Sequence, residues 1–176
     1  MTTENKGQPA ATGAPDPNLA ETLHRMLKLY NRLIAPFSTH LEHRYKISVN
    51  EFRLLMMIGR LGTTASHELS EITGVNTMSV SRAVSALEKH GRITVTTDPA
   101  NRRRKTLTLT AEGRRLYERM LPSADRVSEY LFAALSPEEI TAFDRYVTTL
   151  TEALEAQDEQ GRSLFLECTR PDEDMA

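Results

Sequence analysis

Residues 74–91 read GVNTMSVSRAVSALEKHG, and this stretch decides the fold. Gly74 predicts the left-handed end of one helix, and Asn76 predicts the N-cap of the next. The preceding segment, Thr64 to Thr73, predicts a first helix with Leu69 and Ile72 pointing inward. Val75 is expected to be buried in the turn. The second helix has apolar residues at helical spacing, at Val80, Ala83, Val84 and Leu87. The stretch therefore predicts a helix-turn-helix.

A basic hairpin follows this pair of helices. Residues 93–97 and 106–109 alternate in polarity and are rich in β-branched side chains, which predicts two strands. The residues between them predict a turn whose tip carries four consecutive cations, at Arg102, Arg103, Arg104 and Lys105. A short strand is also possible at Thr63 and Thr64. The order of helix, turn, helix and basic hairpin is that of a winged helix-turn-helix.

Charge is distributed unevenly along the chain. The net charge of −2 is unusual for a protein that binds DNA. Residues 48–110, however, hold nine Lys and Arg against five Asp and Glu, a net charge of +4, whereas the remainder has 13 against 19, a net charge of −6. Positive charge is thus concentrated where a phosphate backbone would bind.

Helical segments flank this central region. Residues 1–18 are polar and predict a disordered tail. Residues 19–46 predict an N-terminal helix that Pro36 kinks or divides, with an apolar stripe at Leu19, Leu23, Met26, Tyr30, Leu33, Phe37 and Leu41. A capping box, Ser48 with Glu51, begins the next helix, which ends near Gly62. Residues 47–110 are predicted to form the winged lobe.

Residues 111–156 predict two further helices. Thr110 caps the first, in which Pro122 predicts a bend, and its stripe is Leu116, Met120, Val127, Leu131 and Leu135. A second capping box, Ser136 with Glu139, begins the other, whose stripe is Ile140, Phe143, Val147, Leu150 and Leu154. Residues 157–176 are acidic and predict an irregular, partly ordered tail, to which no role is assigned.

Composition and motifs exclude several classes of protein. No run approaches the roughly 18 apolar residues of a membrane span, and we find no secretory signal. The single cysteine, Cys168, cannot form an intrachain disulfide, so a cytoplasmic location is expected. The sequence shows no phosphate loop, nucleophile elbow or metalloprotease motif, which predicts a protein that is not an enzyme and has no catalytic residues. No cofactor or structural metal is predicted.

The second helix of the motif has a small, polar outer face that could enter the major groove of DNA. Thr77 and Ser79 could donate hydrogen bonds to phosphates or bases, and Arg82 could reach a guanine edge. For each Ser or Thr alone, a solvated surface is the competing interpretation. The predicted DNA-binding set is Ser66, Asn76, Thr77, Ser79, Ser81, Arg82, Arg102, Arg103, Arg104 and Lys105.

Residues 98–113 resemble the wing of the MarR family of bacterial transcriptional regulators, which commonly reads D-P-x-D-R-R, then a strand, then L-T-x-x-G. Residues 81–91 are similar to the family's recognition helix. The resemblance covers roughly residues 19–154. Asn101 stands where the family usually has an Asp that holds the wing arginine; Asn can hydrogen-bond that arginine but cannot pair its charge.

The resemblance implies a mainly α fold with a β-hairpin wing, in which a winged helix-turn-helix lobe is joined to a helical dimerisation domain. It implies a homodimer that binds a near-palindromic double-stranded DNA operator, most often as a repressor. The apolar stripes of residues 19–41, 116–135 and 140–154 favour pairing with a second copy independently. Two-fold symmetry then predicts half-sites roughly 34–36 Å apart.

The resemblance also implies a small effector that releases DNA, often an aromatic carboxylate, an N-heteroaromatic acid or a phenol. The candidate contacts are Tyr30, Leu33, Phe37, His40, His43, Arg44, Phe52 and Met56. For the apolar ones, a place in the core is the competing interpretation. Three alternatives stay open: metal sensing through His40 and His43, redox sensing through Cys168, and a winged-helix module that binds protein.

Overall fold

A computed structural model describes residues 18–97 and 105–170. The elements in these residues follow the order α1 (Leu19–Tyr45), α2 (Val49–Leu61), β1 (Thr63–Ala65), α3 (Ser66–Thr73), α4 (Thr77–Lys89), β2 (Ile93–Thr97), β3 (Lys105–Leu109), α5 (Ala111–Phe132), α6 (Pro137–Glu155) and α7 (Leu164–Cys168). The chain forms two compact units, which divide within α5 between Glu118 and Arg119. The predicted fold class, mainly helical with a small antiparallel sheet, is confirmed.

The first unit has a closed apolar core to which α2, α3 and α4 contribute. Burying these side chains supplies the main force that holds the three helices together. The fully buried side chains include Leu54, Leu55, Ile58, Leu69, Val80, Leu87 and Leu107. The apolar face predicted for α4 is confirmed, because all four of its residues are buried.

The sheet of the first unit has the order β1-β3-β2, with both neighbouring pairs antiparallel. Leu107 of β3 lies opposite Thr64 of β1 and Val95 of β2 and is fully buried, and Ala65 of β1 and Ile93 of β2 are buried beside it in the sheet. The predicted hairpin of residues 93–97 and 106–109 is confirmed, and β3 begins one residue earlier, at Lys105.

Helix ends in the first unit follow the capping chemistry that the sequence predicts. The Glu51 amide donates to Ser48 Oγ at 3.2 Å, and the Ser48 amide donates to Glu51 Oε2 at 2.9 Å, which completes the capping box. Gly74 has the expected left-handed conformation, with φ of 64°. The Thr110 hydroxyl accepts from the Gly113 amide at 3.0 Å and begins α5.

Two local expectations were wrong. The first helix of the motif begins at Ser66, not Thr64, because residues 63–65 pair with β3 as a strand. Ile72 does not point inward; half of its surface is exposed. Of the kink or division expected at Pro36, division is excluded, since α1 is one helix of 27 residues that contains it.

Three helices expose long apolar stripes. In α1 these are Leu19, Leu23, Met26, Tyr30 and Leu33, whereas Leu41, near the end of the helix, is buried. In α5, Leu116 and Met120 are buried and Val127 and Leu131 are exposed, whereas Leu135, predicted as the last residue of this stripe, lies beyond the end of the helix at Phe132. In α6 the whole predicted stripe is exposed, at Ile140, Phe143, Val147, Leu150 and Leu154. Most of these side chains are therefore in contact with solvent, although the Phe143 ring lies 6.0 Å from the Phe132 ring, centroid to centroid.

The segment after α6 is more regular than the sequence indicates. Gln157 and Ser163 form a β-bridge around a turn, and the Leu164 amide donates to the Ala156 carbonyl at 2.9 Å. Asp158 accepts from the backbone amide of Arg162 at 2.9 Å, and this contact lowers the pKa of the Asp158 carboxyl below its usual value. The turn leads into α7, whose Leu164, Phe165 and Leu166 are exposed.

Candidate nucleic-acid interface

Helix α4 presents a polar face to solvent because its opposite face is held by the core. The helix has 13 residues, which corresponds to a length of roughly 20 Å. Thr77, Ser81 and Arg82 are exposed along the face that the core leaves free. Small side chains near the N-terminal end of such a helix allow it to approach base edges without steric conflict.

A concave surface, which encloses a volume of about 310 Å³, lies beside this face. It is lined by residues from the start of α3, from α4 and from the wing strands. The structure thereby brings together four of the predicted DNA-binding residues, namely Ser66, Thr77, Ser81 and Lys105. These residues are separated by up to 39 positions in the sequence, and the fold assembles the whole surface from four elements, α3, α4, β2 and β3.

The other predicted DNA contacts have more restricted positions. Asn76 is the N-cap of α4, and its Oδ1 accepts from the Ser79 amide at 2.9 Å. Its side chain is therefore used within the protein, and Ser79 is partly buried. Arg82 is exposed, with Nη2 lying 3.5 Å from Met78 Sδ. Arg102, Arg103 and Arg104 lie outside the described residues.

Sequence reasoning left three polar residues of this surface out of the candidate set. His67 follows Ser66 in α3, and Ser85 and Glu88 extend the line of Thr77 and Ser81 along α4. Ser85 had the signal of helical spacing from Ser81. Glu88 could accept a hydrogen bond from a cytosine amino group, and its negative charge disfavours a phosphate at the same place.

Thr110 and Gly113 fix the base of the wing to the start of α5. The Thr110 hydroxyl donates to the Gly91 carbonyl at 2.6 Å, and its amide donates to the Arg92 carbonyl at 3.1 Å. A Cβ on Gly113 would overlap the Arg92 carbonyl oxygen and would lie 2.8 Å from the carbonyl carbon. Glycine is therefore required where α5 passes the wing, which gives a physical reason for the L-T-x-x-G pattern.

The candidate effector contacts fall into two pairs and several separate residues. The Phe37 and Phe52 rings meet edge to face, with centroids 4.9 Å apart. His40 lies edge-on to Tyr45 at 5.7 Å, and Tyr45 was not among the candidates. Met56 is partly buried, whereas the remaining candidates, Tyr30, Leu33, His43 and Arg44, are exposed. The structure thus joins α1 and α2 through aromatic side chains at this point.

The structure bears on two of the alternative hypotheses, metal sensing through His40 and His43 and redox sensing through Cys168. Within residues 18–97 and 105–170, no three His, Cys, Asp or Glu side chains are grouped so that they could hold a metal ion. Cys168 is exposed in α7, with its thiol 3.1 Å from the Phe165 carbonyl oxygen. Across the same described segments, every helix is too short or too polar to cross a bilayer.

Comparison with known proteins agrees with this geometry. Residues 47–105 match the model of the MarR family. An uncharacterised HTH-type transcriptional regulator of Bacillus subtilis, YwaE, is 23% identical over 122 residues, which cover 69% of this chain and 70% of YwaE.

Two solved structures share the fold. BpsR of Bordetella bronchiseptica, described as regulated in its DNA binding by 6-hydroxynicotinic acid, is 25% identical with a TM-score of 0.66, over 74% of this chain and 98% of BpsR. FabT of Streptococcus pneumoniae, solved in complex with DNA, is 23% identical with a TM-score of 0.63, over 77% of this chain and 96% of FabT.

Proposed function

Because this chain is a DNA-binding transcriptional regulator of the MarR family and not an enzyme, we propose that it is a homodimeric repressor released by a small aromatic effector. The observation that carries the DNA-binding part is the concave surface on which Ser66, Thr77, Ser81 and Lys105 meet. We propose these residues, with Arg82 and the wing arginines, as the DNA contacts. A chromosomal operator as the target favours a cytoplasmic location.

The proposed dimer is supported by the apolar stripes of α1, α5 and α6. Five residues of the α6 stripe are each more than a third exposed in the single chain. Monomeric proteins rarely leave contiguous apolar surface of such extent in water. A second copy paired by two-fold symmetry would cover it and would present two α4 helices to successive major grooves of a near-palindromic operator.

The proposed effector is an aromatic or N-heteroaromatic acid or a phenol. Its support is the aromatic pair of Phe37 and Phe52, together with the regulation of BpsR by 6-hydroxynicotinic acid. Arg44 and His43 are the exposed side chains of α1 that could receive a carboxylate. Release of DNA requires only that the effector bind more tightly to a conformation whose lobes do not match the operator.

A thermal-shift screen tests the effector proposal. Aromatic acids, phenols and N-heteroaromatic carboxylates are added to the protein, with and without a DNA duplex that the protein selects from a random pool. We expect at least one compound to raise the melting temperature and to weaken DNA binding. Tight DNA binding with no shift by any compound would contradict the effector and leave the DNA-binding function intact.

A weaker competing function is a winged-helix module that binds protein. The salt dependence of binding separates it from the DNA regulator, since phosphate contacts release counterions and make the association constant fall steeply with salt. No affinity for any duplex at low salt would overturn the proposed function.

A further inference from the structure

Arg92 is a basic residue of the winged lobe that does not face solvent. It follows Gly91 at the base of the wing, and its side chain is only 12% exposed. Arg82, by contrast, is exposed. The three wing arginines lie outside the described residues. Arg92 is therefore occupied within the protein, and its charge is not available for a phosphate.

The guanidinium of Arg92 binds the end of α1. Nη1 donates to the Lys46 carbonyl at 3.2 Å, and Nη2 donates to the carbonyls of Tyr45 and Lys46, both at 3.2 Å. The last carbonyls of a helix have no partner within the helix and carry its partial negative charge. Arg92 thus supplies the cation and the donors that the end of α1 requires, from a position 46 residues later in the chain.

Glu51 balances the charge of Arg92. Its Oε1 lies 3.5 Å from Arg92 Nη1, and its side chain is only 10% exposed. Glu51 Oε2 accepts from the Ser48 amide, so one carboxylate serves both the N-cap of α2 and the guanidinium. Removing either member of such a pair would leave the other charged group poorly solvated.

The main chain of Arg92 completes the junction. Its carbonyl accepts from the Thr110 amide at 3.1 Å, and Gly113 passes close against it. One residue at the base of the wing therefore touches the C-terminus of α1, the N-terminus of α2 and the first turn of α5. Within the first unit, Arg92 joins α1, which exposes an apolar stripe, to the lobe whose surface carries the DNA-contact candidates.

We propose that Arg92, held by Glu51, is a positioning residue that fixes the winged lobe on α1 and thereby sets the spacing of the two half-sites that a dimer reads. The proposal rests on the proposed homodimeric DNA binder. The orientation of the winged lobe on α1 affects affinity only when both lobes of the dimer bind one duplex. A duplex with a single half-site is bound by one lobe, so the position of the second lobe does not matter. Coupling free energies between sites commonly correspond to 5–150-fold changes in affinity.

The test uses three duplexes derived from one that the wild-type protein selects from a random pool. The first keeps both half-sites, the second has one half-site scrambled, and the third has two base pairs inserted between them. Affinities are measured for the wild type, Arg92→Met, Arg92→Lys and the double variant Arg92→Met/Glu51→Gln. Arg82→Ala serves as the control for a direct DNA contact, and circular dichroism verifies folding.

We expect Arg92→Met to bind the first duplex about tenfold more weakly than the wild type and the scrambled duplex within about twofold of it. The inserted base pairs should weaken the wild type more than the variant. The double variant lacks the carboxylate that Arg92→Met leaves unpaired, so it should stay folded. It should lose the preference for the first duplex over the scrambled one to the same extent. Lysine cannot form the forked contact to two carbonyls, so Arg92→Lys should show a smaller loss of the same kind.

Several outcomes would overturn the proposal. If Arg92→Met weakened binding to the first two duplexes equally, Arg92 would only support local stability. Arg82→Ala is expected to show such equal weakening, because it removes a direct DNA contact. Unchanged discrimination in the double variant would dismiss a positioning role even if Arg92→Met failed to fold. Failure of the wild type to select any duplex would overturn the proposed function itself, and this inference with it.

Discussion

Replacing Gly113 with alanine is expected to destabilise the protein, although alanine is the better helix former. Gly113 lies in the first turn of α5, and a Cβ there would overlap the Arg92 carbonyl oxygen. This carbonyl belongs to the backbone and also accepts a hydrogen bond from the Thr110 amide, so it cannot move aside as a flexible side chain could.

The expected magnitude combines two opposing terms. Alanine would gain about 0.5–1 kcal/mol over glycine inside a helix. Forcing an extra carbon into a packed junction costs about 1–3 kcal/mol. The middles of these two ranges leave a net loss of about 1 kcal/mol, which corresponds to a fall in Tm of about 2–4 °C for a chain of this size.

The assay is urea and thermal unfolding followed by circular dichroism, at one fixed protomer concentration because a dimer's stability depends on it. Arg114→Ala is the matched control, since Arg114 is exposed in the same turn and its loss should change stability by less than about 0.5 kcal/mol. A Gly113→Ala variant as stable as the wild type would refute the steric argument.

Three further predictions concern DNA binding and assembly. Arg82→Ala should weaken binding to a selected duplex by about 1–3 kcal/mol and relax preference at one base pair, measured by fluorescence anisotropy on single-base variants. Lys105→Ala should reduce the slope of log K against log salt by about one and weaken all sequences alike, and an unchanged slope would remove Lys105 from the phosphate contacts. Leu150→Glu should shift the sedimentation of the protein towards a monomer, because it places a charge in the exposed stripe of α6, whereas Thr148→Glu should not. A dimer that survives the Leu150 change at micromolar concentration would contradict the proposed interface.

The helix-turn-helix could be predicted from the sequence because its signals are local. The capping box of Ser48 with Glu51 and the left-handed Gly74 act over at most three residues, and the structure has both. The buried face of α4 also follows from spacing alone. The candidate DNA contacts on α4 follow from the same spacing, since small polar side chains opposite an apolar face define one surface of a helix.

The errors and omissions came from contacts between distant residues. The sequence predicts both a short strand at Thr63 and Thr64 and a helix that starts at Thr64, and pairing with Leu107 makes Thr64 part of the strand. Ile72 has the spacing of an inward residue, yet half of its surface is exposed near the end of the eight-residue helix α3. Neither pairing nor coverage can be derived from spacing within one segment.

The local sequence by itself determined where α2, α4 and α5 begin, which face of α4 is apolar and where positive charge is concentrated, because these depend on side chains a few residues apart. Only the tertiary structure decided that the Arg92 side chain is not part of the exposed basic surface. It binds instead the end of α1, 46 residues earlier, beside Glu51. An arginine in the sequence carries the same charge in either place. Its role depends on which carbonyls and carboxylates the folded chain brings within reach, and burial then converts a common surface charge into a specific contact between helices.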